Sequence, residues 1–468
     1  MPRNELSHTA TALAALLLAA CSTAPSYQPP ATNVPPAFKE GAAFEKVFAR
    51  ANPSAAAVPD AWWELFADPV LNDLQSRVVK GNTSLAASAA AVAVAQAAVA
   101  SSRASLWPTL GLSAGATRGS TAGIVSSSYN AQASLSNWEI DIWNRLGSAV
   151  SAAEARVQAS RDDLAAARLS VQASVVQTYF SLRAAEAQAD VLERSLQALG
   201  RSLQLTQNRY QAGVVSAADV SQAQTQLKSA QAQALESRIT RAQLEHALAA
   251  LLGLPSADFA LVKTAKLPSV PAVPLQLPSQ LLERRPDIAA AERRVAAANA
   301  QIGSADAAFF PALTLSANAG FRNSALANLF DAPSRIWSLG PSLVFAAFDG
   351  GGRQAASDSA RASYDQAVAN YRGTVLTALQ EVEDNLIAAA TLQEEEALQN
   401  ELVTAAQKTL QITTNQYTAG TVSYLNVVTA QSAELSAQTS LINVQNRRLA
   451  ALNTLLKNIA GRWDTAAK

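Results

Sequence analysis

Residues 285–321 read RPDIAAAERRVAAANAQIGSADAAFFPALTLSANAGF, and their period changes midway. Up to Phe309 the apolar or small positions are Ile288, Ala291, Val295, Ala298, Ile302, Ala305 and Phe309. Alternating steps of three and four make a coiled-coil seam, and Pro286 takes the first helical position, where a missing N–H costs nothing. After Pro311 the period is two. Leu313, Leu315, Ala317, Ala319 and Phe321 share one face, and Thr314, Ser316, Asn318 and Gly320 the other. An apolar face alternating with small polar residues is the pattern of a transmembrane barrel strand. The stretch therefore predicts a long helix feeding directly into a membrane strand.

The same device occurs about 203 residues earlier. Leu85, Ser88, Val92, Ala95, Val99, Ser102 and Leu106 form a seam, and Pro108 marks the switch. Leu110, Leu112, Ala114 and Ala116 then alternate with Thr109, Gly111, Ser113, Gly115 and Thr117. A second match pairs Asn208-Arg209-Tyr210-Gln211-Ala212-Gly213 with Asn415-Gln416-Tyr417-Thr418-Ala419-Gly420, each closing a long helical seam. The chain is thus two copies of one unit of roughly 200 residues.

Only 15% of the 468 residues are charged, and the formal net charge is zero, which argues against nucleic acid as a partner. No run of 18 or more consecutive apolar residues occurs, so any membrane crossing is expected from strands. Residues 1–20 read as an export signal with a short apolar run from Thr9 to Ala20. The run ends Leu18-Ala19-Ala20-Cys21, which resembles a bacterial lipobox, so Cys21 is expected to carry a covalent lipid, palmitate included. It is the single cysteine of the chain and has no disulfide partner within it. Residues 21–60 read as an acylated tether rich in Pro, Ala and Ser. The first copy spans 61–254, a proline-rich linker 255–280, and the second copy 281–468.

Within the first copy, residues 119–128 read as a polar loop. A second strand follows from Tyr129, its phase slipping near Asn137 in the manner of a bulge. Trp138 and Trp143 suit either an interfacial aromatic girdle or a packed strand–helix junction. One seam then runs from Ser148 to Tyr210, which at ~1.5 Å per residue gives a rod of roughly 95 Å. Gly213 ends it, Ser216 or Asp219 caps the return, and a helix of about 37 residues comes back to Leu252. In the second copy, Trp337, Leu339, Leu343 and Phe345 mark the last strand. Phe348-Asp349-Gly350-Gly351-Gly352-Arg353 turns it into a helix reaching Tyr417.

The fold class expected is mixed α and β: long helical hairpins, which would line a helical barrel, plus four membrane strands per chain. Four strands leave two open edges in lipid, and closed barrels begin at about eight, so several chains must share one barrel. A trimer gives twelve strands. Thr109, Ser113, Thr117, Thr314, Ser316 and Asn318 would face the lumen.

The chain resembles the outer membrane factors of tripartite efflux pumps, the TolC-like channels, and among them the lipoprotein branch. The resemblance covers nearly the whole mature chain. It is carried by Cys21, Trp62-Trp63 through Asp68-Pro69, Trp138 through Trp143, Arg284-Arg285-Pro286-Asp287-Ile288, Phe310-Pro311, Phe348 through Gly351, Tyr417-x-x-Gly420 and Ser423-Tyr424-Leu425. It implies a homotrimer, lipid-anchored in the outer membrane and reaching across the periplasm. The trimer would dock a periplasmic adaptor and, through it, an inner-membrane RND-type transporter, passively conducting drugs or other small compounds. It also places a constriction and the adaptor contact at the helix turns, where Tyr210, Gly213, Asp219, Tyr417, Gly420, Val422 and Tyr424 are the candidates. Because 416–425 contains no acid, a carboxylate ring from the second turn is not expected, and Val422 or Tyr424 is the candidate steric constriction.

The alternative is the outer membrane duct of a type I protein secretion system, decided by which transporter docks. An enzyme is poorly supported. His8 lies in the signal, His246 reads as a surface or seam residue, and Gly350-Gly351-Gly352-Arg353 lacks the Lys-Ser/Thr ending of a phosphate loop. A surface fibre conflicts with helices that return. No cofactor or metal site is expected within the chain, which has one Met and two His.

Overall fold

The computed structural model describes residues 25–48, 61–271 and 285–459. The export signal and Cys21 lie outside the described residues. Contacts divide the chain into two compact units. The first holds Met1–Thr32, Ala89–Asp163 and Ile288–Thr374; the second holds Asn33–Ser88, Leu164–Asp287 and Val375–Lys468. Each unit draws on both sequence copies, so the repeat is not itself the compact body.

Helices α1 (Gly41–Phe48), α2 (Pro69–Gly81) and α3 (Thr83–Ala104) lead to strands β1 (Leu110–Thr121) and β2 (Ile124–Ile140). Helices α4 (Arg145–Gln211) and α5 (Ala217–Leu251) follow. The second copy repeats the plan as α6 (Pro286–Ala307), β3 (Ala312–Asn323), β4 (Arg335–Val344), α7 (Gly352–Thr418) and α8 (Tyr424–Ile459). Pro286 opens α6, and Ile288, Ala291, Val295 and Ile302 are buried, as their spacing predicts. The long helices reach 67 residues each, the first running a little past the expected seam at both ends. At ~1.5 Å per residue each is roughly 100 Å long. By length and composition α3 alone among the described helices is long and apolar enough to cross a membrane. Much of its apolar character is alanine, and Ser84, Ser88, Gln96, Ser101 and Ser102 interrupt it.

In the first unit the four strands form one antiparallel sheet in the order β1-β2-β3-β4. The residues expected in a loop at 119–128 instead continue the ladder, with Thr121 opposite Ile124. Ala122 and Gly123, at φ 54° and 82°, close the hairpin in two residues, the positive-φ geometry that matches strand twist. Serines 126–128 look loop-like by composition, yet their backbones are paired. The bulge is where the phase slip placed it: the β2–β3 register shifts between Leu135 and Trp138.

The second unit has a dense core. Trp62, Phe66, Leu71, Leu74, Val78, Val175, Tyr179, Phe180, Leu248, Leu386, Leu452 and Leu456 are all buried there. The Asp68-Pro69 pair explains itself locally. Asp68 Oδ1 accepts from the N–H groups of Val70 (2.9 Å) and Leu71 (3.2 Å), capping α2, while Pro69 takes the first turn. Tyr179 donates its hydroxyl to Asp68 Oδ2 at 2.7 Å, and burial pushes that phenol up to about 12. Asn82 Oδ1 accepts from Leu85 N at 3.0 Å and so caps α3.

Candidate functional site

Two places have the chemistry of a conduit: the sheet of the first unit and the helix turns of the second. In the sheet, register puts like with like. Leu110, Leu135, Ala317 and Leu339 lie opposite one another in a row across all four strands, as do Leu112, Ala133, Ala319 and Trp337. The other face carries Gly111, Ser134, Asn318 and Ser338 in one row, and Glu139, Thr314 and Ser342 in another. Ser113 opposes Gln132, and Thr117 opposes Ser128. Thr109 immediately precedes the first paired residue, in phase with this polar face. The large apolar side chains are left open, Leu112 at 83% and Trp337 at 80% exposure. A sheet with one bare apolar face and one polar face fits lipid on one side and water on the other.

The bulge has a clasp that sequence reading did not find. Asn137 sits at φ 51°, tolerable for Asn, and donates its N–H to Ser316 Oγ at 3.1 Å. Ser316 Oγ donates in turn to Asn137 Oδ1 at 3.2 Å. Ser316 is thus a polar-face residue with a structural duty. The junction tryptophans are packed. Trp138 Nε1 donates to Leu106 O at 3.0 Å, and Trp143 Nε1 to Pro311 O at 2.8 Å, with its ring stacked on Phe310 at 4.7 Å.

Both strand-to-helix junctions use an aspartate. Asp141 accepts from Leu146 N (3.1 Å) and Gly147 N (2.7 Å) at the start of α4. Its counterpart Asp349 accepts from Gly351 N (3.1 Å), Arg353 N (3.0 Å) and Arg353 Nε (2.7 Å). These donors hold the Asp349 carboxyl below the usual carboxylate range. The amides that a phosphate would need are already taken by the chain's own carboxylate. His246 is exposed. Among the described residues, no group of three or more His, Cys, Asp or Glu is arranged to hold a metal.

At the turns, Gly213 (φ 69°) and Gly420 (φ 79°) occupy the left-handed region that ends a helix. The bonds repeat: Gly213 N to Tyr210 O and Val214 N to Arg209 O, then Gly420 N to Tyr417 O and Thr421 N to Gln416 O. The side chains diverge. Tyr210 is 49% exposed, whereas Tyr417 is 3% and Tyr424 1% exposed, their rings 5.4 Å apart in a cluster with Ala223, Val427 and Val428. Val422 packs against that cluster. Tyr424, expected as a steric constriction, therefore points into its own chain, its hydroxyl 3.2 Å from Ser202 Oγ. Asp219, the single acid expected there, forms a capping box: its side chain accepts from Ser216 N (2.9 Å) and Ser216 Oγ (2.8 Å).

Arg209 was not singled out by sequence, although its counterpart in the other copy is Gln416. It donates from Nη1 to the carbonyls of Tyr417 and Thr418, and its guanidinium lies 4.6 Å from the Tyr417 ring centroid. A cation on the last carbonyls of α7 also suits the helix dipole. The only hint in sequence was this charge difference between otherwise matching turns.

A family model described as outer membrane efflux protein matches the chain twice, over residues 74–254 and 277–461. Outer membrane protein OprJ of Pseudomonas aeruginosa is 33% identical over 463 residues, covering 97% of this chain and 95% of that one. The toluene efflux pump outer membrane protein TtgC of Pseudomonas putida is 32% identical over 462 residues, with the same coverage. Among solved structures, the outer-membrane channel OprN matches with a TM-score of 0.86 at 28% identity, covering 95% of this chain and all of that one.

Proposed function

Because the chain belongs to the outer membrane efflux protein family, we propose that it is the outer membrane exit duct of a multi-component efflux pump. Three copies close a twelve-stranded barrel, each supplying one four-stranded sheet. Cys21 carries a lipid that anchors the mature chain to the same membrane. A periplasmic adaptor docks at the helix turns and connects the duct to an inner-membrane RND-type transporter. The duct conducts small compounds passively.

One observation carries this reading: the sheet is unfinished. Its outer strands β1 and β4 each have one partner, and its apolar face is bare. Unpaired strand edges are not viable in hydrocarbon, so a barrel shared between copies is the physical completion. Thr109, Ser113, Thr117, Thr314 and Asn318 then line the lumen, with Ser316 among them as bulge clasp.

The turns act as the gate. In the first turn Val214 is 61% exposed and free to meet a neighbouring copy, whereas Asp219 is spent on its cap. A cysteine pair at Val214 and Val422 tests both duct and gate. In planar bilayers the reduced protein should conduct, and oxidation should suppress conductance. In an efflux-competent host lacking its own duct, compound export should follow the same pattern. A protein that is monomeric in detergent and silent in planar bilayers would overturn the duct; unchanged conductance with the crosslink confirmed on a gel would overturn the gate.

A further inference from the structure

The Arg285-Pro286-Asp287 stretch has a use that the duct does not require. In the second unit, Arg285 donates from Nε and Nη2 to the two oxygens of Asp287 at 3.0 and 2.7 Å, and from Nη1 to Glu381 Oε2 at 2.9 Å. These groups border a cavity of about 150 Å3 that is also lined by Ser170, Lys457 and Asn458. Asn458 is 2% exposed, and among the described residues neither its Oδ1 nor its Nδ2 has a protein partner. Lys457 is half-buried, and no salt bridge reaches it among the described residues. Burial lowers its pKa, opposed by Glu381 and reinforced by Arg285.

A buried amide with no partner costs ~1–3 kcal/mol, and a leucine of similar shape would avoid that cost. The two carboxylates are already committed to Arg285. What the cavity offers is an ammonium, an amide NH2 and one amide oxygen. That set is complementary to a carboxylate, accepting from Lys457 and Asn458 Nδ2, with a neighbouring hydroxyl or ammonium donating to Asn458 Oδ1. Arg285 and Lys457 balance Asp287 and Glu381, so every added negative charge is uncompensated: a dianion is disfavoured more strongly than a monocarboxylate, and a zwitterion adds no net charge. The volume is about that of an engineered cavity that takes benzene, so the occupant has roughly six heavy atoms. We propose that this cavity is a binding site for a small monocarboxylate bearing an α-hydroxyl or α-amino group.

The test is calorimetric titration of the purified full-length protein in detergent with sodium lactate, glycine and sodium acetate, using sodium chloride at equal ionic strength as control. Lactate or glycine should bind saturably, and acetate, which lacks the α donor, more weakly. Lys457→Met should weaken binding about tenfold or more, the loss of one hydrogen bond to a charged group. Asn458→Leu should abolish it while the protein still melts cooperatively. No saturable heat from the wild type, or equal affinity in Lys457→Met, would overturn the proposal and leave ordered water as the occupant. Acetate binding as tightly as lactate would overturn the α-substituent requirement. Because binding is read directly, these outcomes do not depend on conductance or export.

Discussion

In the sheet, the large apolar side chains face outward, with Leu112 at 83% and Trp337 at 80% exposure. In the second helix turn the aromatic pair faces inward, with Tyr417 at 3% and Tyr424 at 1%, while the first turn leaves Tyr210 at 49% exposure. The same duplication built both regions. The sheet cannot satisfy its edges or its apolar face within one chain and so depends on lipid and on further copies. The turns are complete by themselves, each closed by a glycine and backbone bonds, and the second packed around two tyrosines. A region finished within one chain can move as a body without exposing a core, which is what a gate needs. A region that is unfinished can only be assembled.

The sharpest way to break that comparison is to put a charge on each face of the sheet. Leu339→Arg, midway along β4 on the apolar face, should cost about 2–4 kcal/mol. Asn318→Arg, on the polar face, should stay within ~0.5 kcal/mol. Denaturation midpoints of folded protein in lipid vesicles measure both. Equal losses would mean the faces are assigned wrongly. Ser316 is unsuitable for this contrast because it clasps the bulge.

Next in size is the turn itself. Arg209→Ala removes hydrogen bonds to two carbonyls and a guanidinium over the Tyr417 ring. Bonds to a charged group are worth ~1.5–3 kcal/mol each, less here because Arg209 is only half-buried. Hydrogen exchange at the end of α7 should speed up while exchange in the sheet stays unchanged, and single-channel recordings should show longer open times. Unaltered exchange at Thr418–Thr421 would show that the turn does not rely on Arg209.

Much of this was legible in the sequence, because period and punctuation report directly on backbone. The switch at Pro311, the cap at Ser216 and the bulge near Asn137 all follow from local rules. The hairpin at Ala122-Gly123 was not, since serines 126–128 resemble a loop by composition while their backbones pair. Tyr424 was misread for a related reason. A large residue after a turn suits either a pore or a core, and its burial depends on Ser202, 222 positions away. Arg209 was missed likewise, because its partners lie 208 and 209 positions along the chain. Long-range side-chain partners leave no period.

The bulge clasp gives a smaller effect within the sheet. Ser316→Ala removes both hydrogen bonds to Asn137, costing about 1 kcal/mol at this exposed site. Ser316→Thr, which keeps the hydroxyl, should recover most of it. Infrared exchange of the β2–β3 amides follows the change, and a loss as large as that of Leu339→Arg would mean the bulge governs sheet assembly.

The smallest effect separates the two turns from each other. Asp219 and Asn426 occupy matching positions, and the difference in charge invites a reading of Asp219 as a pore-facing acid. The structure gives the carboxylate another occupation. It accepts from Ser216 N and Oγ while Ser216 Oγ accepts from Asp219 N at 3.3 Å, so it closes the start of α5 reciprocally. Asn426 donates its backbone N–H to Ser423 O at 3.2 Å. Asp219→Ala should therefore cost about 0.5–1 kcal/mol, the low end for an exposed cap, and fray the first turn of α5. Asn426→Ala should be close to neutral. Asp219→Asn is the deciding variant, because an asparagine oxygen can still accept from Ser216 N but carries no charge. If it preserves amide protection at the start of α5 and leaves cation selectivity unchanged, Asp219 is a cap. A drop in selectivity with the helix start intact would restore the acid to the lumen and make the first turn, rather than the second, the charged part of the gate.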